Sequence, residues 1–212
     1  MFDQDVRIPV AEGWVEGHLT VPDDAIAAVV FAHGSGSSRH SPRNRFVAEV
    51  LQRADLATLL LDLLTPGEEA VRANVFDIDL LARRLVEATR WLTTRPETAA
   101  LRIAYFGAST GAGAALRAAT SSEVSIAAVV SRGGRPDLAG PALTAVRSPT
   151  LLIVGGDDHV VLELNREAAR AMRCEVTVTV VPGATHLFSE PGALEQVAEL
   201  ARDWLIAQLT PR

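Results

Sequence analysis

Over most of its length the chain alternates between short unbroken apolar runs and segments of helical periodicity, and this alternation limits the folds open to it. The runs are "AIAAVVFAHG", "ATLLLDLL", "LRIAYFGAS", "VSIAAVVS", "TLLIVGG" and "EVTVTVVPG". A strand with one wet face alternates apolar and polar residues; an unbroken run suits a strand covered on both faces, as in a parallel sheet. Helical patterns lie between the runs. Ser41 and Pro42 supply a cap and a first-turn residue ahead of "RNRFVAEVLQRA". In "NVFDIDLLARRLVEATRWL", Ile78, Leu81, Leu85, Ala88 and Leu92 share one face. "LELNREAARAMR" and "ALEQVAELARDWLIAQL" complete the set, the last with Leu194, Val197, Ala201 and Leu205 as its stripe. Only the N-terminal region differs: "DVRIPV" and "WVEGHLTVP" alternate around "AEG", a hairpin pattern. The order predicts an α/β fold, with a mostly parallel sheet, an N-terminal antiparallel hairpin and helices on both faces. A chain of 212 residues suits one such domain over 1–212.

Composition narrows the function classes. A net charge of −6 gives no general attraction to nucleic acid or to anionic membranes, so a small molecule is the expected partner. No apolar run approaches membrane-spanning length, and "MFDQDVRIPV" lacks the basic-then-apolar pattern of a leader. One cysteine, Cys174, excludes an internal disulfide framework, and a cytoplasmic location is expected. Nothing in the pattern specifies an oligomeric state.

In parallel α/β sheets, sites gather beyond the carboxyl ends of the strands. At one such end, Gly107-Ala108-Ser109-Thr110-Gly111 fits G-x-S-x-G between a buried run and an Ala-rich helical segment. The pentapeptide alone suits a packing turn as well as a nucleophile. A serine nucleophile needs a base, because an unassisted hydroxyl reacts poorly at neutral pH. Of the histidines His18, His33, His40, His159 and His186, the last lies past the final apolar run in "VVPGATHLF" and can reach back to Ser109. His18 in the hairpin and His40 on a polar loop read as surface residues. "LLIVGGDDHVV" offers Asp157 and Asp158 as the acid, completing the order Ser, Asp, His. Such a carboxylate fixes the histidine tautomer and stabilises the imidazolium. The turn His33-Gly34-Ser35-Gly36 offers backbone N–H groups; that of Ser35, with that of Thr110, is the expected oxyanion site. A phosphate-binding loop is the alternative, but neither G-x-G-x-x-G nor a P-loop lysine is present.

These motifs resemble the α/β-hydrolase superfamily, and within it the small dienelactone hydrolase-like branch. The resemblance spans nearly the full chain through "HGSGSSRHSPRN", "GASTGAGAAL", "SRGGRPDL", "LLIVGGDDHVVLELN" and "PGATHLF". It implies Ser109 as nucleophile and His186 as base. The acid motif G-x-x-D-x-x-V aligns on Gly155, Asp158 and Val161 and so favours Asp158. It also implies hydrolysis of carboxylic esters without metal or organic cofactor. The chain departs from strict dienelactone hydrolases in having serine where they carry cysteine, which favours a general esterase. Larger relatives insert a cap after the sixth strand; "GRPDLAGPALTAVRS" leaves no room for one, so small or projecting esters are expected.

Arg132, at a strand end, and Arg39 and Arg43, beside the oxyanion turn, are candidates to bind a carboxylate or phosphate on the substrate, as against ordinary solvated or paired arginines. Acyl transfer on the same triad, a non-catalytic binding protein on the same fold, and a metal site at Asp157, Asp158 and His159 are the competing readings.

Overall fold

The computed structural model describes residues 1–210 and contains one eight-stranded sheet in the order β1-β2-β4-β3-β5-β6-β7-β8. Strands β1 (Phe2–Val10) and β2 (Gly13–Val21) form the antiparallel hairpin, and β2 runs antiparallel to β4 (Leu56–Leu61). From β4 through β3 (Ala27–Ala32), β5 (Arg102–Ala108), β6 (Ile126–Arg132), β7 (Thr150–Gly155) and β8 (Val176–Val181), all pairing is parallel. This is the predicted α/β sheet, with its carboxyl ends gathered along one side.

The unbroken runs behave as their composition demands. Every residue of β3, β4 and β7 is buried, because helices cover both faces. Helices α1 (Pro42–Gln52) and α6 (Ala193–Leu209) cover one face. On the other face lie α3 (Ile78–Thr93), α4 (Thr110–Ala118) and α5 (His159–Ala171). The Ser41 hydroxyl caps α1 by accepting from the Asn44 N–H, with Pro42 in the first turn.

Three details depart from the sequence reading. The run ending in Val181 reads as doubly buried, but β8 is the sheet edge and keeps only Val181 fully covered. The helix expected over residues 74–92 breaks at Asp77, whose carboxylate caps α3 by accepting from Leu80 N–H. Before it stands a 3₁₀ turn, Asn74–Phe76. A short α2 (Pro66–Glu69) was also missed, although "TPGE" carries its signal: Thr65 and Glu68 form a reciprocal capping box. The segment between β6 and β7 is a 3₁₀ stretch, Pro136–Ala145, kinked at Gly140, and no cap domain rises there. No helix among the described residues is long and apolar enough to cross a membrane.

One cluster of charge ties the hairpin to the helical layer. Arg84 of α3 has its side chain 1% exposed and bonds Glu12 at the hairpin turn, Glu68 of α2 and Glu87 of its own helix. Burial works against its charge, but the three carboxylates outweigh it and raise its pKa.

Candidate active site

The carboxyl ends of β3, β5, β6, β7 and β8 bring the predicted residues to one place. At the end of β5 the chain turns directly into α4, and Ser109 takes φ 51° and ψ −122° to make that turn. A positive φ on a residue with a Cβ costs about 1–3 kcal/mol and persists only where neighbours over-determine it. They do so here. The Ser109 N–H donates to the Arg132 carbonyl, and its own carbonyl accepts from the N–H groups of Arg135 and Ala112. The flanking glycines permit close approach of the helix. A Cβ on Gly107 would lie 2.4 Å from Ala112 Cα, and one on Gly111 would lie 2.2 Å from the Ala32 carbonyl oxygen.

Ser109 is the N-cap of α4 and Asp158 the N-cap of α5, yet neither side chain caps its helix. Serine and aspartate normally spend their oxygens on the free N–H groups of the first turn. The Asp158 carboxylate instead accepts a 2.7 Å hydrogen bond from His186 Nδ1, with the two side chains 15% and 39% exposed. An acceptor-only carboxylate fixes the proton on Nδ1 and leaves Nε2 as an acceptor facing outward from the pair. Asp157 is exposed and makes no such bond; its backbone N–H ties to Ala184. The loop carrying His186 is held by buried Phe188, which takes φ 53° and closes a turn onto the Thr185 carbonyl.

His186 and Ser109 line one cavity of about 250 Å³ with Gly34, Ser35, Arg43 and Arg132. On its oxyanion side, Thr110 N–H opens α4 and has no intrahelical acceptor. The Ser35 N–H, expected to be its free companion, donates to Thr110 Oγ1 at 2.8 Å. Sequence reasoning did not foresee that internal partner.

His33 has a role beyond membership of this turn. Its Nδ1–H donates to the Gly34 carbonyl at 2.9 Å, and Nε2 accepts from Leu63 N–H at 3.1 Å, so the neutral ring anchors the turn to the end of β4. Desolvation pushes its pKa below 6.5, against smaller raising effects of the Gly34 bond, Asp62 and Glu69. The unfolded chain therefore binds the extra proton first as pH drops below 6.5, and His33 lowers stability on the acid side. Thermal melting between pH 8 and 5 should show this: the gap between wild type and His33→Gln narrows as pH falls. A gap independent of pH would contradict it. Surface His18 works in the opposite sense. Its bonds to Asp5 and Asp3 outweigh desolvation and raise its pKa, so its contribution is full below 6.5 and fades at higher pH.

The arginine candidates separate. Arg39 bonds Asp62 through both backbone and side chain, lies near Glu16 and does not line the cavity, so its charge is answered by carboxylates away from Ser109. Arg132 and Arg43 do line it. Burial, and then the neighbouring Arg43 charge, push the Arg132 pKa down to about 10, which leaves it protonated at neutral pH.

With this geometry in view, the dienelactone hydrolase family model matches residues 45–209. The chain belongs to the dienelactone hydrolase family. A dienelactone hydrolase from Anabaena variabilis is 54% identical over 99% of both chains, and its crystal structure superposes with a TM-score of 0.95. Two Mycobacterium tuberculosis proteins, each named "Putative phosphoribosyl transferase", are 64% identical over 98% of this chain. The chain spans about half the length of those curated relatives, 47%. Est1E from Butyrivibrio proteoclasticus covers 96% of the chain at 14% identity with a TM-score of 0.81, a likeness of fold. For this member of the family the sole cysteine is no rival nucleophile. Cys174 precedes β8 at the amino end of the sheet, opposite the site, and burial raises its pKa, the reverse of an activated thiol.

Proposed function

We propose that this chain is a serine hydrolase of carboxylic esters, acting through an acyl-enzyme on Ser109. The observation that carries the proposal is the Asp158–His186 hydrogen bond beside a strained Ser109 in one cavity. His186 Nε2 takes the Ser109 proton as Oγ attacks the acyl carbon, and Asp158 stabilises the imidazolium that forms. The same proton goes to the leaving alcohol as the C–O bond breaks; water then repeats the sequence and frees the acid. Thr110 N–H holds the developing oxyanion, joined by Ser35 N–H as it exchanges its Thr110 Oγ1 partner for the stronger charged acceptor. Small esters fit the cavity, and thioesters and lactones enter the same chemistry. No cofactor takes part in this scheme. Family membership and the esterase-like fold support hydrolysis as the reaction class.

The transferase name of the curated relatives belongs, in this reading, to the part of those longer proteins that this chain does not span. Acyl transfer to an alcohol is a variant of the same mechanism, with the acceptor replacing water.

A fluorophosphonate probe followed by peptide mass spectrometry tests the proposal. Labelling at Ser109 that is lost in Ser109→Ala and sharply reduced in His186→Ala supports it; folded protein that stays unlabelled rejects it. The positioning of Ser35 by the Thr110 hydroxyl has its own test. Removing one oxyanion donor costs about a hundredfold or more in kcat. Thr110→Val removes only the hydroxyl that steadies Ser35, so a smaller loss of about tenfold in kcat, with KM nearly unchanged, is expected. Thr110→Ser should recover it. Equal losses in the two variants would show that the hydroxyl does not position the turn.

A further inference from the structure

Arg132 closes β6 with its residue only 8% exposed, and no carboxylate among the described residues answers its charge. Its one side-chain hydrogen bond among the described residues runs from Nη2 to Asn44 Oδ1 at 3.2 Å; Nε and Nη1 are buried without an acceptor. A buried cation in that state is costly, and proteins ordinarily supply a counter-charge. Here the charged neighbour on the same cavity wall is another cation. Arg43 lies close enough to lower the proton affinity of Arg132, and its own Nε is likewise buried and unpartnered. The N-terminus of α1, capped by Ser41, brings the positive end of its dipole to the same wall.

We propose that Arg132 and Arg43 form an anion subsite that takes a phosphoryl group carried by the ester substrate. This rests on the serine hydrolase reading, whose Ser109 lines the same cavity. Charge balance selects the class. Among the described residues no carboxylate pairs with either guanidinium, and a carboxylate ligand would neutralise only one of them. A phosphate monoester carries about −1.5 to −2 at neutral pH and offers three terminal oxygens. Those oxygens suit a guanidinium fork, with Arg43 supplying the second charge. Nε and Nη1 of Arg132 have no protein acceptor but are closed to solvent, so a small shift of the side chain must open them to the ligand. Asn44 then orients the guanidinium by holding Nη2. The phosphoryl group is a handle and not the reacting centre: Ser109 attacks the acyl carbon, the acyl C–O bond breaks, and no P–O bond changes.

The binding arm of the test uses Ser109→Ala protein, titrated calorimetrically with inorganic phosphate and with acetate. Phosphate is expected to bind at least tenfold more tightly than acetate, and Arg132→Met or Arg43→Gln to weaken phosphate binding tenfold or more. Phosphate that fails to bind, binds no better than acetate, or binds equally to both variants overturns the subsite. The substrate arm compares a phosphonate-bearing 4-nitrophenyl ester with its neutral counterpart on the otherwise native protein. A preference of tenfold or more in kcat/KM, collapsing in Arg132→Met, supports a substrate handle. Phosphate binding without that preference assigns the site to a free anion and overturns the proposal as stated. Fluorophosphonate labelling of Ser109 runs alongside. Absent labelling rejects the hydrolase reading, while the titration still judges the anion subsite by itself. Should Arg132→Met fail to fold, Arg43→Gln carries both arms.

Discussion

Ser109→Ala is expected to lower kcat for a short ester by at least about a thousandfold while leaving the fold intact, and His186→Ala to do nearly the same. In the proposed mechanism the nucleophile and its base act as one unit. Without His186 the hydroxyl keeps its proton, and without the hydroxyl His186 has nothing to activate. The double variant should therefore fall little below either single one. Asp158→Asn probes the third member. An amide at that position can present N–H to His186 Nδ1, which moves the ring proton to Nε2 and points a donor at Ser109. A loss of about ten-thousandfold is expected with little change in melting temperature. Steady-state assay of the four proteins on one ester checks the set, and additive losses would show that the residues do not form a unit. Ser109→Gly adds a thermodynamic reading. Glycine accepts φ 51° without a Cβ clash, so this inactive variant should be more stable than wild type by about 1 kcal/mol. Serine is kept at the elbow at the cost of stability, as expected where a strained residue serves chemistry.

Arg84→Met should destabilise the fold by about 3 kcal/mol, read from urea or thermal unfolding. The guanidinium satisfies Glu12, Glu68 and Glu87 at once, and its removal leaves three carboxylates facing one another across the hairpin, α2 and α3. The lower end of the usual range applies because Glu12 is 60% exposed and water can take over its share. Arg132→Met offers the contrast within the same molecule. Both arginines are buried, but Arg132 has only the neutral Asn44 as partner, so methionine there should cost no more than about 1 kcal/mol: the buried Asn44 Oδ1 loses its donor, and removal of an unpaired buried charge offsets part of that loss. An Arg132→Met loss as large as that of Arg84→Met would show that Arg132 is held for structure. An arginine that burdens the fold and is not answered within it is best explained by a ligand.

Much of this was legible in the residues themselves. The buried runs marked β3 to β7, since a strand covered on both faces has no polar alternation to show. Edge strand β8 misled because "EVTVTVV" is apolar enough to read as central, and edge position is a property of the sheet. Ser109 was readable because it directly follows a strand run, and His186 because it lies in the loop just past one. Asp158 was separated from Asp157 by register with the family motif, and the structure brings the Asp158 carboxylate to His186.

Other features had no local signal. Arg39 and Arg132 look alike in sequence, yet Asp62 and Glu16 reach Arg39, and no acid among the described residues reaches Arg132. The Ser35 N–H looked free until Thr110 was placed 2.8 Å away. By itself the sequence determined the order of the elements and which side chains stand at strand ends, because burial periodicity and capping are local properties read over a few residues. Only the tertiary structure decided which of those groups are partnered. Hydrogen bonds and ion pairs act over a few ångströms between residues far apart in the chain, and folding alone sets those distances.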